Sequence, residues 1–298
     1  MVFPCGIRII APPGKPVRPA PDENTRPRRP IMHYLFVLGA RDPEMTIIED
    51  LVRKVGHEVA HAMAGERRVH AGNAYAAERA SARPGRHRGP VVWVECALAD
   101  GGVPRDLVVD HHREDDPGFS MPPERFWEGA SLGQVCTLLG IDPTRELRLA
   151  AAADHCLNAA YLGRCPGIAP EEMRAWRLAS RAAWQKLSPE VLARRIETGI
   201  AQVRSLERLR VGGFEFADAM GREIPEVPEA SAILGIAVMY SRVEPRSGRT
   251  KIGALNGTPE MLEAWMDFAR DVLGLADVYG SPIRGYAGGY LREGPRAG

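Results

Sequence analysis

The sequence predicts an α/β protein: a parallel sheet with helices on both faces, followed by a smaller C-terminal α/β domain. In the first half of the chain, short apolar runs rich in Val alternate with segments of helical hydrophobic spacing. Strands that alternate with helices favour a parallel sheet that is covered on both faces. From about residue 210 the pattern changes to strand-like runs, one amphipathic helix and a Gly-rich end, which indicates a second domain.

The elements of the first region follow from apolar periodicity and from the residues that end each run. Short runs dense in β-branched and aromatic residues predict strands, and longer runs predict helices, the first of which stops at Gly56. The predicted strands cover 31–40, 90–98 and 105–112, and the predicted helices cover 45–56, 128–140 and 145–163.

Two long charged helices, roughly 169–186 and 189–208, connect the two regions. Ser188 is a candidate N-cap of the second helix, and Pro189 fits its first helical position. The last third of the chain predicts strands at 230–243 and 249–257, a helix at 258–274 capped by Thr258, and a Gly-rich terminal segment at 276–294.

These patterns divide the chain into four parts. The first 31 residues are rich in Pro and Arg and lack the continuous apolar core of a signal peptide. We expect either a disordered tail there or an ordered protein that starts near Met32. The predicted parts are a tail at 1–31, a larger α/β domain at 32–186, a helical linker at 187–209 and a smaller α/β domain at 210–298.

Charge and cysteine content narrow the class of protein. The 39 basic and 38 acidic residues give a net charge of +1, which gives no support to a broad nucleic-acid-binding face. The longest apolar runs are far too short to span a bilayer, so no membrane partner is expected. An odd number of cysteines without a CxxC pair argues against a disulfide framework and favours the cytoplasm. The cysteines are Cys5, Cys96, Cys136, Cys156 and Cys165.

Acidic and imidazole side chains follow the successive predicted strands. Ligands of open parallel sheets gather at the carboxyl ends of the strands. Carboxylates together with imidazoles are suitable donors for a divalent cation such as Mn²⁺ or Mg²⁺, so the sequence predicts a metal site at this edge. The residues are Asp42 and Glu44 after the first strand, Glu95 at the second, Asp110, His111 and His112 at the third, and Asp154 in an Ala-rich helix.

Each of these signals has a plainer interpretation when it stands alone. Asp42, which precedes a proline, fits a turn, and Glu95 fits a surface acid at a strand end. Asp154 is less easily explained, because an unpaired buried acid is costly. Two adjacent imidazoles after an apolar strand have no packing role, so His111 and His112 favour a functional site.

The order of these motifs resembles the DHH phosphoesterase superfamily over residues 32–298. The segment LVVDHHREDDPGF resembles the third motif of that superfamily, with a Pro-Gly soon after it. RDPEM resembles the first motif, VECA the second and AAAADHCLNAAYLG the fourth, while GYAGGY resembles the substrate-binding loop of the accessory domain. The resemblance implies a metal-binding catalytic domain at 32–186 and a substrate-binding domain at 210–298.

The resemblance also implies a role for each matching residue. The implied metal ligands are Asp42 for one Mn²⁺ ion, Glu44, His111 and Asp154 for the other, and Glu95 as a bridge, with Mg²⁺ or a single ion as alternatives. The implied catalytic contacts are His111 as metal ligand, His112 on the scissile phosphate and Asp110 as the group that orients the imidazoles. The implied substrate contacts of the terminal loop are Arg284, Gly285, Gly288 and Gly289.

The chain departs from the superfamily pattern at several positions. Leu38 stands where many members have a histidine, and Glu44 and Glu95 are each one methylene longer than the usual aspartate. The terminal loop lacks the histidine that the superfamily has there. These departures suggest an altered metal stoichiometry, and they leave open a catalytically inactive protein that binds or senses nucleotides.

A competing motif lies at residues 57–61, which read HEVAH and match the HExxH pattern of zinc proteases. That pattern needs a helix on which both histidines share a face. Glycines on either side leave only a short segment, and the alternation also fits a strand with Glu58, Ala60 and Ala62 on one face. We therefore expect a strand and keep the protease as the weaker alternative.

Together these features predict metal-dependent hydrolysis of a phosphoester or phosphoanhydride. The smaller domain would close over the substrate through residues 284–290. Near-neutral charge favours a small substrate, so we expect a short oligonucleotide or a cyclic or modified mononucleotide. The sequence leaves open the identity of the substrate, the number of metal ions and the oligomeric state, a homodimer included.

Overall fold

The computed structural model describes residues 32–100, 107–244 and 248–292. Both sheets of the structure lie within the unit His33–Gly298. The tail predicted at 1–31 lies outside the described residues. The domain boundaries predicted within 32–298 stay predictions.

A six-stranded sheet with a parallel centre forms the first half of this unit. Its strands are β1 Leu35–Leu38, β2 Glu58–Ala64, β3 Arg67–Arg68, β4 Arg79–Ala80, β5 Val91–Val94 and β6 Leu107–Val109. The central strand β1 lies parallel to β2 and β5, and β6 lies parallel to β5, whereas β3 and β4 pair antiparallel with β2. The α/β class predicted from the sequence is confirmed.

Alternate residues of β1 and β5 face two separate cores. Phe36 and Leu38 pack with Met45 and Ile48 of a helix that follows β1. The helices on this side are α1 Pro43–Lys54, α2 Phe126–Gly129, α3 Ser131–Leu139, α4 Arg145–His155 and α5 Leu157–Tyr161. The opposite face, with Leu35, Val37, Val91 and Trp93, is covered by Val69, Ala74 and Ala77 from the segment after β3.

The helix predicted over 145–163 is two helices. Thr144 caps α4 by accepting a hydrogen bond from the Leu147 amide, and the helix ends at His155. Cys156 then takes φ −147° and ψ 47°, which is outside the helical region, before α5 begins. The run of apolar residues continues through this break, so periodicity alone does not reveal it.

The second half of the unit is a six-stranded sheet. Its strands are β7 Arg208–Val211, β8 Phe214–Ala219, β9 Val238–Val243, β10 Thr250–Leu255, β11 Ala276–Ser281 and β12 Tyr286–Tyr290, in the order β11-β12-β10-β9-β8-β7. Only β8 and β9 are parallel within this order. Two long helices, α6 Pro170–Gln185 and α7 Pro189–Ser205, precede it, and α8 Val227–Leu234 and α9 Pro259–Asp271 belong to it.

Several predictions for this half are confirmed and others are wrong. Ser188 and Thr258 cap α7 and α9, as predicted. The segment 230–243 is not one strand, because α8 occupies its first part and ends at Gly235, whose φ of 63° suits glycine. The hairpin of β7 and β8 was not predicted, although Gly212 and Gly213 mark its turn.

The HEVAH segment lies in an extended chain that enters β2. In a strand, residues four apart are about 13 Å apart, too far to share one zinc ion as they would on a helix. His61 contacts Glu49 at 3.1 Å, and the Tyr34 amide contacts His57 at 3.4 Å. The expectation of a strand is confirmed, and the zinc-protease alternative is wrong.

Within the part of the chain that the structure describes, no helix is both long and apolar enough to cross a membrane.

Candidate metal centre

The candidate centre lies where the parallel strands β1, β5 and β6 end. Because these strands run in the same direction, the residues after them meet at one edge of the sheet. Asp42 and Glu44 follow β1, Glu95 follows β5, and Asp110 begins the loop after β6. The helix α4 brings Asp154 to the same place, 3.2 Å from His111.

Gly39 and Glu95 allow the ends of β1 and β5 to approach closely. A Cβ at Gly39 would lie 2.3 Å from the Glu95 carbonyl oxygen, so no larger residue fits without a backbone shift. Glu95 itself has a φ of 50°, a conformation that side chains other than glycine rarely adopt. Such local strain is found at functional sites, where the surrounding structure maintains it.

His111 is fully buried, and its two ring nitrogens have different surroundings. Its Nδ1 lies 3.3 Å from the Gly129 carbonyl oxygen, which can only accept a hydrogen bond, so we place the proton on Nδ1. Its Nε2 lies 3.2 Å from Asp154 Oδ2 and 3.5 Å from Glu95 Oε1. Burial lowers the pKa of His111, which favours the neutral ring with a free lone pair on Nε2.

The neighbouring ring of His155 favours the same tautomer of His111, with the proton on Nδ1. Its Nε2 lies 2.9 Å from the Met121 carbonyl oxygen, and its Nδ1 lies 3.4 Å from His111 Nδ1. With the proton on Nε2, the other nitrogen of His155 can only accept. Both neighbours of His111 Nδ1 are therefore acceptors, which leaves Nε2 to bind a metal ion.

Two carboxylates, those of Glu95 and Asp154, lie beside His111 Nε2, and a third, that of Glu44, lies close to these two. Oxygens of Glu44, Glu95 and Asp154 lie within 4.8 Å of one another, and so do ligand atoms of Glu95, His111 and His112. Burial and then the charge of Asp154 raise the pKa of Glu44, and burial is the main cause that raises the pKa of Glu95 to about 8. Glu44 and Glu95 therefore lie among acidic neighbours in a buried part of the centre.

Two hydrogen bonds orient these carboxylates. Glu44 Oε1 accepts from the Leu132 amide at 3.0 Å, and Glu95 Oε1 accepts from the Ser131 hydroxyl at 2.7 Å. Both donors come from the start of α3, at the positive end of the helix. The second oxygen of Glu44 is buried and has no hydrogen-bond partner within the described residues.

Asp42 has a different position from the other acids. Its Oδ1 accepts from the Met45 amide at 2.7 Å and caps α1. Burial and the nearby charge of Asp154 raise its pKa to about 6. Asp42 thus belongs to the acidic region but to neither of the two ligand groups found among the described residues, and its role as a metal ligand stays a prediction.

Asp110 fixes His112 at the entrance of the centre. Its carboxylate accepts from the Tyr75 hydroxyl at 2.8 Å and from the His111 amide at 2.7 Å, and it lies 2.9 Å from His112 Nδ1. Burial alone would lower the pKa of His112, but the hydrogen bond to Asp110 and the charge of Glu95 outweigh it and raise the pKa. A protonated His112 is suited to donate to a phosphate oxygen rather than to bind a metal ion.

The second sheet contributes Arg284 to the same centre. Arg284 lies in the turn between β11 and β12, and its Nη2 is 3.1 Å from the Asp154 carbonyl oxygen and 3.5 Å from Asp154 Oδ2. Its side chain is only 9% exposed. Gly285 follows with a φ of 83°, and a Cβ there would lie 2.3 Å from Asn158 Nδ2, so a glycine lets the turn pack on α5.

The other two glycines of the predicted terminal loop are in a strand. Gly288 and Gly289 lie within β12 and pair with β10, while Gly288 also pairs with Tyr279 of β11. The expectation of a Gly-rich loop over these residues is wrong, because neighbouring strands on both sides extend the ladder. Their role in binding substrate stays a prediction, to which this placement adds nothing.

Several contacts at the centre were not predicted from the sequence. Ser131 and Gly129 contact the predicted ligands but belong to no recognisable motif. His155 lies within the segment that resembles the fourth motif, but its contact with His111 was not predicted. Tyr75 donates to Asp110 from a position 35 residues earlier in the sequence, so no local pattern indicates that contact.

The residues present fit a divalent cation. Glu44 Oε2 and His111 Nε2 are both buried, polar and without a hydrogen-bond partner within the described residues. Such atoms are costly unless something binds them. Carboxylate oxygens combined with an imidazole nitrogen suit Mn²⁺, whose ligands include both types, and a set without cysteine gives no preference for a soft ion.

Comparisons with known proteins assign no function to this chain, so the functional assignment depends on the residues of the candidate centre. No family model matches the sequence, and no curated protein matches it. A comparison with solved structures finds a similarity to a pGpG-specific phosphodiesterase, PggH from Vibrio cholerae, at 12% identity and a TM-score of 0.40, over 87% of this chain and 93% of that chain. So distant a similarity carries no functional argument.

Proposed function

We propose that this protein is a metal-dependent phosphohydrolase that cleaves a phosphoester bond in a small nucleotide or a short oligonucleotide. The observation that carries the proposal is the buried Nε2 of His111, which lies 3.2 Å from Asp154 Oδ2 and 3.5 Å from Glu95 Oε1 and has no assigned hydrogen-bond partner within the described residues. A nitrogen with a fixed tautomer and acidic neighbours is the arrangement of a metal ligand.

Glu95, His111 and Asp154 would hold the ion, with Glu44 beside them. The chemistry that a bound divalent ion supplies is Lewis acidity, which activates water and offsets the charge of a phosphoryl group. Mn²⁺ is the ion that we expect, and Mg²⁺ is the alternative, because oxygen donors dominate the set.

His112 and Arg284 would bind the phosphate. Asp110 and Tyr75 hold the His112 ring, whose raised pKa favours the protonated form that donates to a phosphate oxygen. Arg284 Nη1 is buried and has no hydrogen-bond partner in the described part of the chain, so it is free to donate to the same group. The two cationic groups come from the two sheets, which would position the substrate between them.

A small substrate fits the charge of the chain. The net charge of +1 gives no support to an extended basic surface for a long polyanion. The two phosphate donors are local, and His112 is about one-third exposed, so the entrance admits a phosphate group at a defined point. We therefore favour a nucleotide or short oligonucleotide over long nucleic acid.

The test is hydrolysis of a dinucleotide and of short oligonucleotides by the full chain, with Mn²⁺ and with chelator. We expect turnover that needs Mn²⁺ and that falls by at least about 100-fold in Asp154→Asn and His111→Gln, since even the partners of metal ligands affect activity by 10–100-fold. The matched control is Asp142→Asn, which changes an exposed aspartate outside the centre.

Full activity in Asp154→Asn or His111→Gln would contradict the proposal. Binding of nucleotide without turnover by the intact protein would also contradict it, and would instead favour a binding or sensing protein with the same fold. Circular dichroism of each variant verifies that loss of activity does not come from unfolding.

A further inference from the structure

We infer that the Arg284 guanidinium occupies the place of a second cation, so that the centre binds one divalent ion rather than two. The inference rests on the proposed function and specifies its metal stoichiometry. It concerns the acidic side of the centre, where Glu44, Glu95 and Asp154 meet.

The two groups of ligand atoms overlap at Glu95 and differ in their chemistry. One group contains two imidazoles, His111 and His112, together with Glu95, whereas the other contains only carboxylates, those of Glu44, Glu95 and Asp154. Taken alone, this overlap would allow two ions that share Glu95, with His111 rather than the protonated His112 as the imidazole ligand. The second group, however, is also the one that Arg284 contacts.

Arg284 is built into the acidic group. Its Nη2 lies 3.1 Å from the Asp154 carbonyl oxygen and 3.5 Å from Asp154 Oδ2, and the charges of Asp154, Glu95 and Glu44 all act on it. A guanidinium has only donors and stays protonated, so it suits carboxylates as a permanent cation.

The backbone holds Arg284 in this position. Its amide donates to the Ser281 carbonyl oxygen at 3.0 Å, and the Gly285 amide donates to the Pro282 carbonyl oxygen at 3.1 Å. The Gly285 carbonyl oxygen in turn accepts from the Asn256 amide at 2.7 Å. The turn is thus fixed to the second sheet, which keeps the backbone of Arg284 beside the acidic group.

Like-charge repulsion favours a single ion. Arg284 already supplies a permanent positive charge to the group formed by Glu44, Glu95 and Asp154. A second divalent ion at the same group would lie beside a buried guanidinium, and like charges repel each other strongly where little solvent screens them.

The test counts bound Mn²⁺ in the full chain after removal of metal and titration with MnCl₂. Calorimetry and elemental analysis give the number of ions, and electron paramagnetic resonance separates an isolated Mn²⁺ from two coupled ions. We expect one isolated ion in the unmodified protein. Arg284→Met, which removes the charge and keeps the length, should bind two coupled ions, and Arg284→Lys should bind one.

The matched control is Arg195→Met, which removes an exposed arginine of α7 and should leave the count at one. Two ions in the unmodified protein would overturn the inference while leaving the proposed hydrolase intact. A count of one in folded Arg284→Met would overturn it as well. An unmodified protein that binds no Mn²⁺ would overturn the metal centre itself, so the two failures are distinguishable.

Discussion

At the scale of single residues, Tyr75 connects the sheet edge to His112, the imidazole that we propose to bind phosphate. Its hydroxyl donates to Asp110, which in turn holds His112. Tyr75→Phe removes one donor from a buried carboxylate and leaves the ring in place. We expect kcat to fall by about 10-fold or more with little change in Mn²⁺ affinity, because the metal ligands keep their contacts.

The matched control for this prediction is Tyr290→Phe, whose hydroxyl donates to Glu244 and contacts no ligand of the centre. Steady-state kinetics over a range of pH provide the measurement. Equal kcat values in the unmodified protein and in Tyr75→Phe would show that the Asp110 orientation does not depend on the hydroxyl.

A second residue, Gly39, determines how closely β1 and β5 approach. The Cβ of Gly39→Ala would lie 2.3 Å from the Glu95 carbonyl oxygen, so the backbone of one strand must move. We expect the free energy of unfolding to fall by about 1–3 kcal/mol, as in other overpacked sites, and Mn²⁺ affinity to fall because Glu95 is displaced. Urea denaturation and Mn²⁺ titration measure the two effects.

Gly85→Ala is the control for Gly39→Ala. An added Cβ at Gly85 meets no atom within 4 Å, so only a small change in stability is expected. If both variants lose the same stability, the close approach at Gly39 is not the cause.

At the scale of elements, Glu49 joins α1 to the strands beside it. Its carboxylate contacts His61 of β2 at 3.1 Å and Arg68 of β3 at 3.2 Å, and it also pairs with Arg53. Burial alone would raise its pKa, but the hydrogen bond to His61 and the charges of His61, Arg53 and Arg68 lower it. The ionised form is therefore favoured in the folded protein.

The lowered pKa of Glu49 gives a stability that depends on pH. It is fully present above the unfolded value near 4.5 and is lost as the pH falls through the lower folded value. We expect Glu49→Gln to lower the free energy of unfolding by about 1 kcal/mol at pH 7 and by less at pH 3. Asp50→Asn, at an exposed neighbour, should change little at either pH. A loss that is equal at both pH values would contradict the assignment.

At the scale of the whole molecule, the features that the sequence predicted correctly are those that depend on local patterns of residues. Apolar runs located β1, β5 and β6, and the acids that follow them do meet at one edge. The sequence did not predict the helix break at Cys156 or the helix α8, because apolar residues continue through both segments. Local patterns give no information about pairing across the chain.

The composition of the centre illustrates the same limit. Arg284 and Asp154 are 130 residues apart, and their contact depends on how the second sheet meets α5. The resemblance suggested a substrate role for Arg284 but gave no sign of its contact with Asp154. Likewise, the Ser131 hydroxyl donates to Glu95 only because the fold places the first residue of α3 beside the end of β5.

Because the centre joins segments from distant parts of the chain, metal binding should stabilise the whole unit. An ion that binds only the folded state adds about 2.7 kcal/mol at a concentration 100 times its Kd, which raises Tm by roughly 5 °C or more. We expect Mn²⁺ to produce this shift in a single transition and chelator to reverse it. His111→Gln should lose the shift, and His70→Gln, at an exposed histidine, should keep it. A Tm that does not change at saturating Mn²⁺ would contradict this prediction. An equal shift in His111→Gln would show that the ion binds elsewhere, because loss of a ligand at the centre should weaken the binding that stabilises the folded state.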